Sequence, residues 1–147
     1  VDAMWSLSYI ADGDESDIQE VIDIGVLPDV VQYLHYQEAR LQKVALRVIG
    51  NIITGTDEQT DYVLNSGVLP SLKRLLSTHQ NLDRTLVKEM IWVISNVCAG
   101  TPKQIELVLH FHLVPIILEL MNDDAPGIKK EACWAMLNIT ESSEVKQ

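Results

Sequence analysis

Asp23-Ile24-Gly25-Val26-Leu27-Pro28 returns as Asn65-Ser66-Gly67-Val68-Leu69-Pro70, and once more, loosened, as Phe111-His112-Leu113-Val114-Pro115. The three prolines stand 42 and then 45 residues apart. A second phrase keeps the same phase: Trp5-Ser6-Leu7-Ser8-Tyr9, Arg47-Val48-Ile49-Gly50-Asn51, Trp92-Val93-Ile94-Ser95-Asn96 and Trp134-Ala135-Met136-Leu137-Asn138. Its first members step by 42, 45 and 42 residues. Two independent phrases in one register mean an internal repeat, and a period of this size is the mark of stacked units.

Each unit reads as three helices. A short apolar helix (18–24, 60–65, 105–110) is broken at or near Gly. Proline then fits the first turn of a second helix (29–35, 71–77, 116–121), where its missing N–H costs nothing. A polar loop follows, and a longer third helix carries the Trp or Arg phrase. Three helices in about 42 residues is the armadillo period. The pattern therefore predicts an all-α fold, a right-handed superhelical solenoid of armadillo repeats. Residues 1–13 would end one repeat, and 14–56, 57–101 and 102–147 would be whole ones. The three extra residues of the middle unit fit best in the polar loop around His79-Gln80-Asn81, where an insertion is cheap.

Composition agrees with such a core. Hydrophobic residues make up 47% of the 147, yet aromatics only 5%, so the interior must be aliphatic. The net charge of −10 opposes direct nucleic-acid binding and favours a basic partner. Cys98 and Cys133 each lie in a helical apolar pattern and are expected to be core thiols. No apolar run is long enough for a membrane span, and no signal peptide opens the chain.

Residues at i and i+4 share a helix face. The third helices thus present Trp5 with Tyr9, Arg47 with Asn51, Trp92 with Asn96 and Trp134 with Asn138. A core has no use for a repeated Asn, whose amide would need several partners. An exposed ladder of amides suits an extended peptide lying across it. Packed helices lie about 8–10 Å apart, and two residues of extended chain cover about 6.8 Å. Each amide offers a donor and an acceptor to one peptide unit, and slots between indoles accept the stem of Lys or Arg. Asp2, Glu89 and Glu131 each precede a Trp by three positions, on the same face, where cationic tips would emerge. In 54–60, Gly55 ends a helix and Thr56 with Gln59 suggests a capping box. The same turn would place Thr54, Asp57 and Thr60 at the groove edge.

Catalytic chemistry is absent from the pattern. His35, His79, His110 and His112 make no metal pair, no glycine loop cradles phosphate, and no nucleophile has a base. No enzyme, cofactor or metal site is expected.

The phrases Asp2-Ala3-Met4-Trp5-Ser6-Leu7-Ser8-Tyr9, the run from Ala45 through Gly50-Asn51-Ile52-Ile53-Thr54-Gly55-Thr56-Asp57-Glu58-Gln59-Thr60, Trp92-Val93-Ile94-Ser95-Asn96 and Lys130-Glu131-Ala132-Cys133-Trp134 closely resemble importin-α (karyopherin-α). That family comprises armadillo adaptors for nuclear localisation signals. The resemblance implies the central to C-terminal repeats of such an adaptor, shuttling between cytoplasm and nucleus. It implies that Arg47 occupies the rung between the major and minor signal sites. Trp92, Asn96, Trp134 and Asn138 would form the minor site, with Ile53, Thr54, Asp57, Thr60, Glu89, Ser95 and Glu131 around them. Asp2, Trp5 and Tyr9 would form the edge of the major site. Leu137 stands where the family more often has a small hydroxyl residue. The segments that bind importin-β and self-inhibit the groove lie N-terminal in the family and are not among these residues, so this piece alone is not expected to support import. A β-catenin-like adhesion or signalling scaffold is the alternative, opposed by the acidic residues, since such grooves receive acidic peptides.

Both ends read as cut from something longer. Leu7, Ile10, Met136 and Ile139 are then candidates for uncovered apolar surface, favouring end-to-end self-association.

Overall fold

A computed structural model describes residues 1–144, and among these there are ten α-helices, one short 3-10 turn and no strand. The helices are α1 (Asp2–Ala11), α2 (Glu15–Asp23), α3 (Leu27–Tyr33), α4 (Ala39–Ile53), α5 (Asp57–Leu64), α6 (Val68–Leu76), α7 (Arg84–Cys98), α8 (Pro102–His110), α9 (Val114–Leu120) and α10 (Pro126–Glu144). The order short, short, long recurs as α2–α4, α5–α7 and α8–α10. Residues 145–147, the end of the last expected repeat, lie outside the described residues.

Local chemistry sets these boundaries. Each first helix opens on a reciprocal capping box: Asp14 with Asp17, Thr56 with Gln59, and Thr101 with Gln104. In each, two backbone N–H groups left over at the helix start find side-chain acceptors. The middle box was expected from the sequence, and the Thr101 to Gln104 spacing carries the same signal. The first helices start about three residues earlier than their apolar pattern, because the residues just after each N-cap (15–17, 57–59 and 102–104) are already helical. Between first and second helices the chain turns through a left-handed residue, Gly25 at φ 79° and Gly67 at φ 86°. His112 takes that position in the last repeat, at φ 54°, where a side chain is strained.

The chain forms two compact units, 1–71 and 72 onward, whose boundary falls within α6. In the first, α4 packs on α1, α3 and α5, and α2 packs on α1 and α5. Val44, Ala45, Leu46, Val48 and Ile49 are fully buried there. The Gln59 amide reaches across from α5 to α2, donating to the Glu15 carbonyl at 2.9 Å and to Gln19 Oε1 at 3.2 Å.

In the second unit, α10 packs on α7, α8 and α9, and α7 on α8. Val87, Met90, Ile91, Val93, Ile94 and Val97 form its aliphatic centre. The connection between α6 and α7 (77–83) is longer than its equivalents (34–38 and 121–125) and holds the 3-10 turn His79–Asn81. It is fastened rather than loose. Gln80 Nε2 donates to Glu119 Oε1 at 2.9 Å, the buried His79 ring faces the same carboxylate, and Arg84 pairs with Asp123.

Two expectations need correction. Cys98 is buried, but Cys133 is exposed, because it lies on the face of α10 that no described helix covers. Ile139, expected at the open surface, is buried, since it lies on the face of α10 shared with Ala132 and Ala135.

Candidate functional site

In the first unit, Trp5 and Tyr9 stack obliquely along α1, ring centroids 6.4 Å apart, and stay 41% and 74% exposed. With Ser8, Asp12, Arg47 and Asn51 they line a cavity of about 210 Å³. Two aromatic walls, a guanidinium, an amide and a carboxylate thus share one recess. Asp12 completes it one turn beyond Tyr9. Its i+3 spacing was the available signal, and the sequence reading did not use it. Asp2 is exposed in the first turn of α1.

Asn51 is not the open rung that the sequence suggests. It is buried, and its Nδ2 donates to the Ser8 carbonyl oxygen at 3.0 Å. One donor of the amide thus ties α4 to α1, while the residue still borders the recess. The turn after α4 is similarly knitted. Thr54 Oγ1 donates to the Asn51 carbonyl at 2.6 Å, and Thr60 Oγ1 donates to the Ile53 carbonyl at 3.1 Å. Thr60 and Ile53 are buried, so Thr60 faces inward instead of lying at an edge. Asp57 is exposed in the first turn of α5.

In the second unit, α7 and α10 set Trp92, Asn96, Trp134 and Asn138 at matching registers on two packed helices. Trp134 is 50% exposed, while Trp92, Asn96 and Asn138 are half-buried. Ser95 is buried beside Asn96. Asn96 differs from Asn51 in one respect: its Nδ2 is shielded from water and has no hydrogen-bond partner. A shielded donor of this kind costs free energy until an acceptor arrives. Glu89 and Glu131, each one turn before a Trp, are half-buried. Each thus puts a carboxylate one turn before an indole on its own helix. Asn138 borders a cavity of about 320 Å³ with Cys98, Ile105 and Glu141. On the other flank of Trp134, Lys130, Cys133 and Leu137 complete an apolar recess of about 210 Å³.

No group of three or more His, Cys, Asp or Glu able to hold a metal is present among the described residues. No helix among them is long and apolar enough to cross a membrane. Burial pushes the Cys98 thiol up to about 12, a value that suits packing and not nucleophilic chemistry.

Known proteins resemble this chain in sequence and in structure. The Armadillo/beta-catenin-like repeat family matches residues 56–99 and 101–141. Importin subunit alpha-1a of Oryza sativa subsp. japonica is 43% identical over 91 residues, 62% of this chain and 17% of that protein. Importin subunit alpha-8 of Arabidopsis thaliana is 42% identical over 137 residues, 93% of this chain and 31% of that protein. The chain thus spans less than a third of the length of these curated relatives. Among solved structures, a designed armadillo repeat protein in complex with the peptide (KR)4 superposes with a TM-score of 0.86 at 26% identity, over 93% of this chain and 56% of that one. A computationally designed armadillo repeat protein for modular peptide recognition gives 0.87 at 28% identity, over 97% of this chain and 60% of that one.

Proposed function

This chain belongs to the armadillo/beta-catenin-like repeat family, and on that premise we propose that it is the peptide-holding part of a nuclear import adaptor. Armadillo repeat proteins and importin α subunits are non-enzymatic scaffolds and adaptors. The ligand proposed here is a lysine- and arginine-rich localisation signal, bound extended across the packed third helices α7 and α10. The repeats are read as 14–56, 57–101 and 102–147, after the end of another at 1–13. Asn96 and Asn138 clamp peptide backbone, Trp92 and Trp134 wall the side-chain slots, and Glu89 and Glu131 receive the cationic tips. Trp5, Tyr9, Arg47 and Asn51, with Asp2 and Asp57, form a second stretch of contact. Cargo is captured in the cytoplasm and carried to the nucleus, with importin-β engaged by a segment outside these residues.

The observation that carries this reading is the Asn96 amide nitrogen, unpartnered within the chain and one turn along α7 from Trp92, whose register mate Trp134 is exposed. A peptide carbonyl supplies the acceptor once the Asn96 side chain turns outward to meet it. The sequence similarity to importin α subunits and the structural likeness to a designed repeat protein holding (KR)4 support the same ligand class. The deciding experiment is calorimetric titration with a lysine-rich peptide and, in parallel, an acidic one of equal length. Binding of the basic peptide alone is expected. Preference for the acidic peptide would overturn the reading in favour of a β-catenin-like scaffold.

A further inference from the structure

We propose that Lys88 selects among peptides on the α7–α10 pair: the bound peptide carries one acidic side chain beside its basic run, opposite Lys88, and no lysine or arginine at that place. This deepens the peptide-binding reading and rests on it.

Lys88 stands four residues before Trp92 and eight before Asn96, on one face of α7. The spacing recurs as Lys43, Arg47 and Asn51, and again as Lys130, Trp134 and Asn138. A lysine one turn ahead of the rung is thus as regular as the Asn one turn behind it. Helical side chains lean toward the helix N-terminus, so the Trp92 indole leans toward the turn that holds Lys88. Lys88 is exposed, and no hydrogen bond or ion pair with another described residue holds its ammonium.

The position of that ammonium is set by α10. A Cβ built on Gly127 would stand 3.0 Å from Lys88 Cε, 3.2 Å from Cδ and 3.4 Å from Nζ. The stem thus crosses from α7 and lies against α10 where any side chain would crowd it. Gly127 is four residues before Glu131 and seven before Trp134, again on one helix face. The Lys88 ammonium therefore stands over the front of α10, one turn ahead of Glu131. In an extended peptide, side chains two residues apart point the same way and lie about 6.8 Å apart. Packed helices lie about 8–10 Å apart. When one cationic side chain enters the slot between Trp92 and Trp134 and reaches Glu131, the residue two along lies over α10, near Lys88. A lysine or arginine there meets a like charge, and an aspartate or glutamate meets an opposite one. Solvent keeps such a pair weak, which suits a residue that chooses between peptides more than it holds them.

Calorimetric titration of the full 147-residue chain tests this with lysine-rich peptides in which one flanking residue at a time is Glu, Gln or Lys. At one position the parent should bind the Glu peptide about two- to fivefold tighter than the Gln peptide, the range of an exposed ion pair, and the Lys peptide most weakly. Lys88→Gln should erase the preference for Glu over Gln at that position alone, whereas a long-range charge effect would act alike at every position scanned. Lys88→Arg should keep the preference. Gly127→Ala keeps the ammonium but pushes its stem aside, so the preference should shrink while the urea midpoint holds or rises, Ala being the better helix former. Lys88 is exposed, so its variants should fold as the parent does. A scan that is flat in the parent, with every peptide bound, would overturn the proposal and leave the peptide-binding reading standing. A preference that survives Lys88→Gln would assign it to another cation and equally overturn it. If no lysine-rich peptide binds at all, the underlying reading falls and the proposal falls with it.

Discussion

The side-chain amide of Asn51 donates to the backbone carbonyl of Ser8 at 3.0 Å, joining α4 to α1 across 43 residues of chain. The amide at the same register one repeat later, Asn96, has an unpartnered nitrogen. Chemically identical rungs therefore differ in use: one amide is spent inside the fold, and the other has no partner within it. For Asn51→Ala the expected result is a less stable protein. The Ser8 carbonyl keeps a second donor, the Asp12 N–H at 3.1 Å, so it is not left bare. A loss of about 1 kcal/mol follows from one buried hydrogen bond, read as a lower midpoint in urea.

Asn96→Ala should behave in the opposite way. Removing a shielded donor without a partner relieves an unmet demand, so the urea midpoint should hold or rise. Affinity for a lysine-rich peptide should nevertheless fall by about 1–3 kcal/mol, the range for a hydrogen bond made in a desolvated place. Calorimetry measures this directly. Unchanged affinity with unchanged stability would remove Asn96 from the binding surface.

Much of this division was beyond the sequence, although the fold was not. The recurring Pro and Trp phrases located all three helices of every repeat, because sequence spacing alone fixes which residues share a face. They also placed the insertion at His79-Gln80-Asn81. The fate of each amide was illegible, since donors at one register read alike and only the opposing backbone decides their use. Cys133 misled for a related reason: its pattern is that of Cys98, but an apolar register is buried only where a neighbouring helix covers it. Thr60 pointed inward because the Ile53 carbonyl, a leftover acceptor at the end of α4, sits within its reach.

His112 is a departure that the repeat itself exposes. It holds φ 54° where Gly25 and Gly67 hold 79° and 86°. A non-glycine residue in the left-handed region costs about 1 kcal/mol, and the greater freedom of glycine when unfolded returns part of that. His112→Gly should therefore stabilise the protein by about 0.5 kcal/mol. Lys73 Nζ donates to the His112 carbonyl at 2.7 Å, a backbone contact that the substitution leaves in place. A lower melting temperature in His112→Gly would mean that the imidazole holds the turn.

Peptide binding should weaken with salt. Asp57 is exposed and Glu89 and Glu131 are half-buried, so their attraction for cationic tips is screened over about 8–10 Å at ordinary ionic strength. The net charge of −10 adds a long-range pull on a basic ligand. Titrations at low and high salt should show affinity falling, with Glu131→Gln showing both weaker binding and a shallower salt dependence. Affinity independent of salt would leave the indole slots as the source of binding and remove the carboxylates from it.

The two thiols should separate cleanly in reactivity and in pH response. Cys133 is exposed and Cys98 is 1% exposed. Iodoacetamide on the native protein should label one site, Cys133, with Cys98 reacting only on unfolding, as mass spectrometry of the peptides would show. Desolvation raises the Cys98 thiol from its ordinary 9.0 to about 12, so the folded state favours the protonated form. Below about pH 9 the folded and unfolded states both hold that proton, and Cys98 adds no pH dependence. Between about 9 and 12 the unfolded thiol loses its proton while the folded one keeps it. The unfolded state gains in that window, and stability falls as pH rises. Cys98→Ala should flatten this alkaline decline while lowering stability at neutral pH through the cavity that it leaves. An alkaline decline of equal slope in Cys98→Ala would assign it to another group.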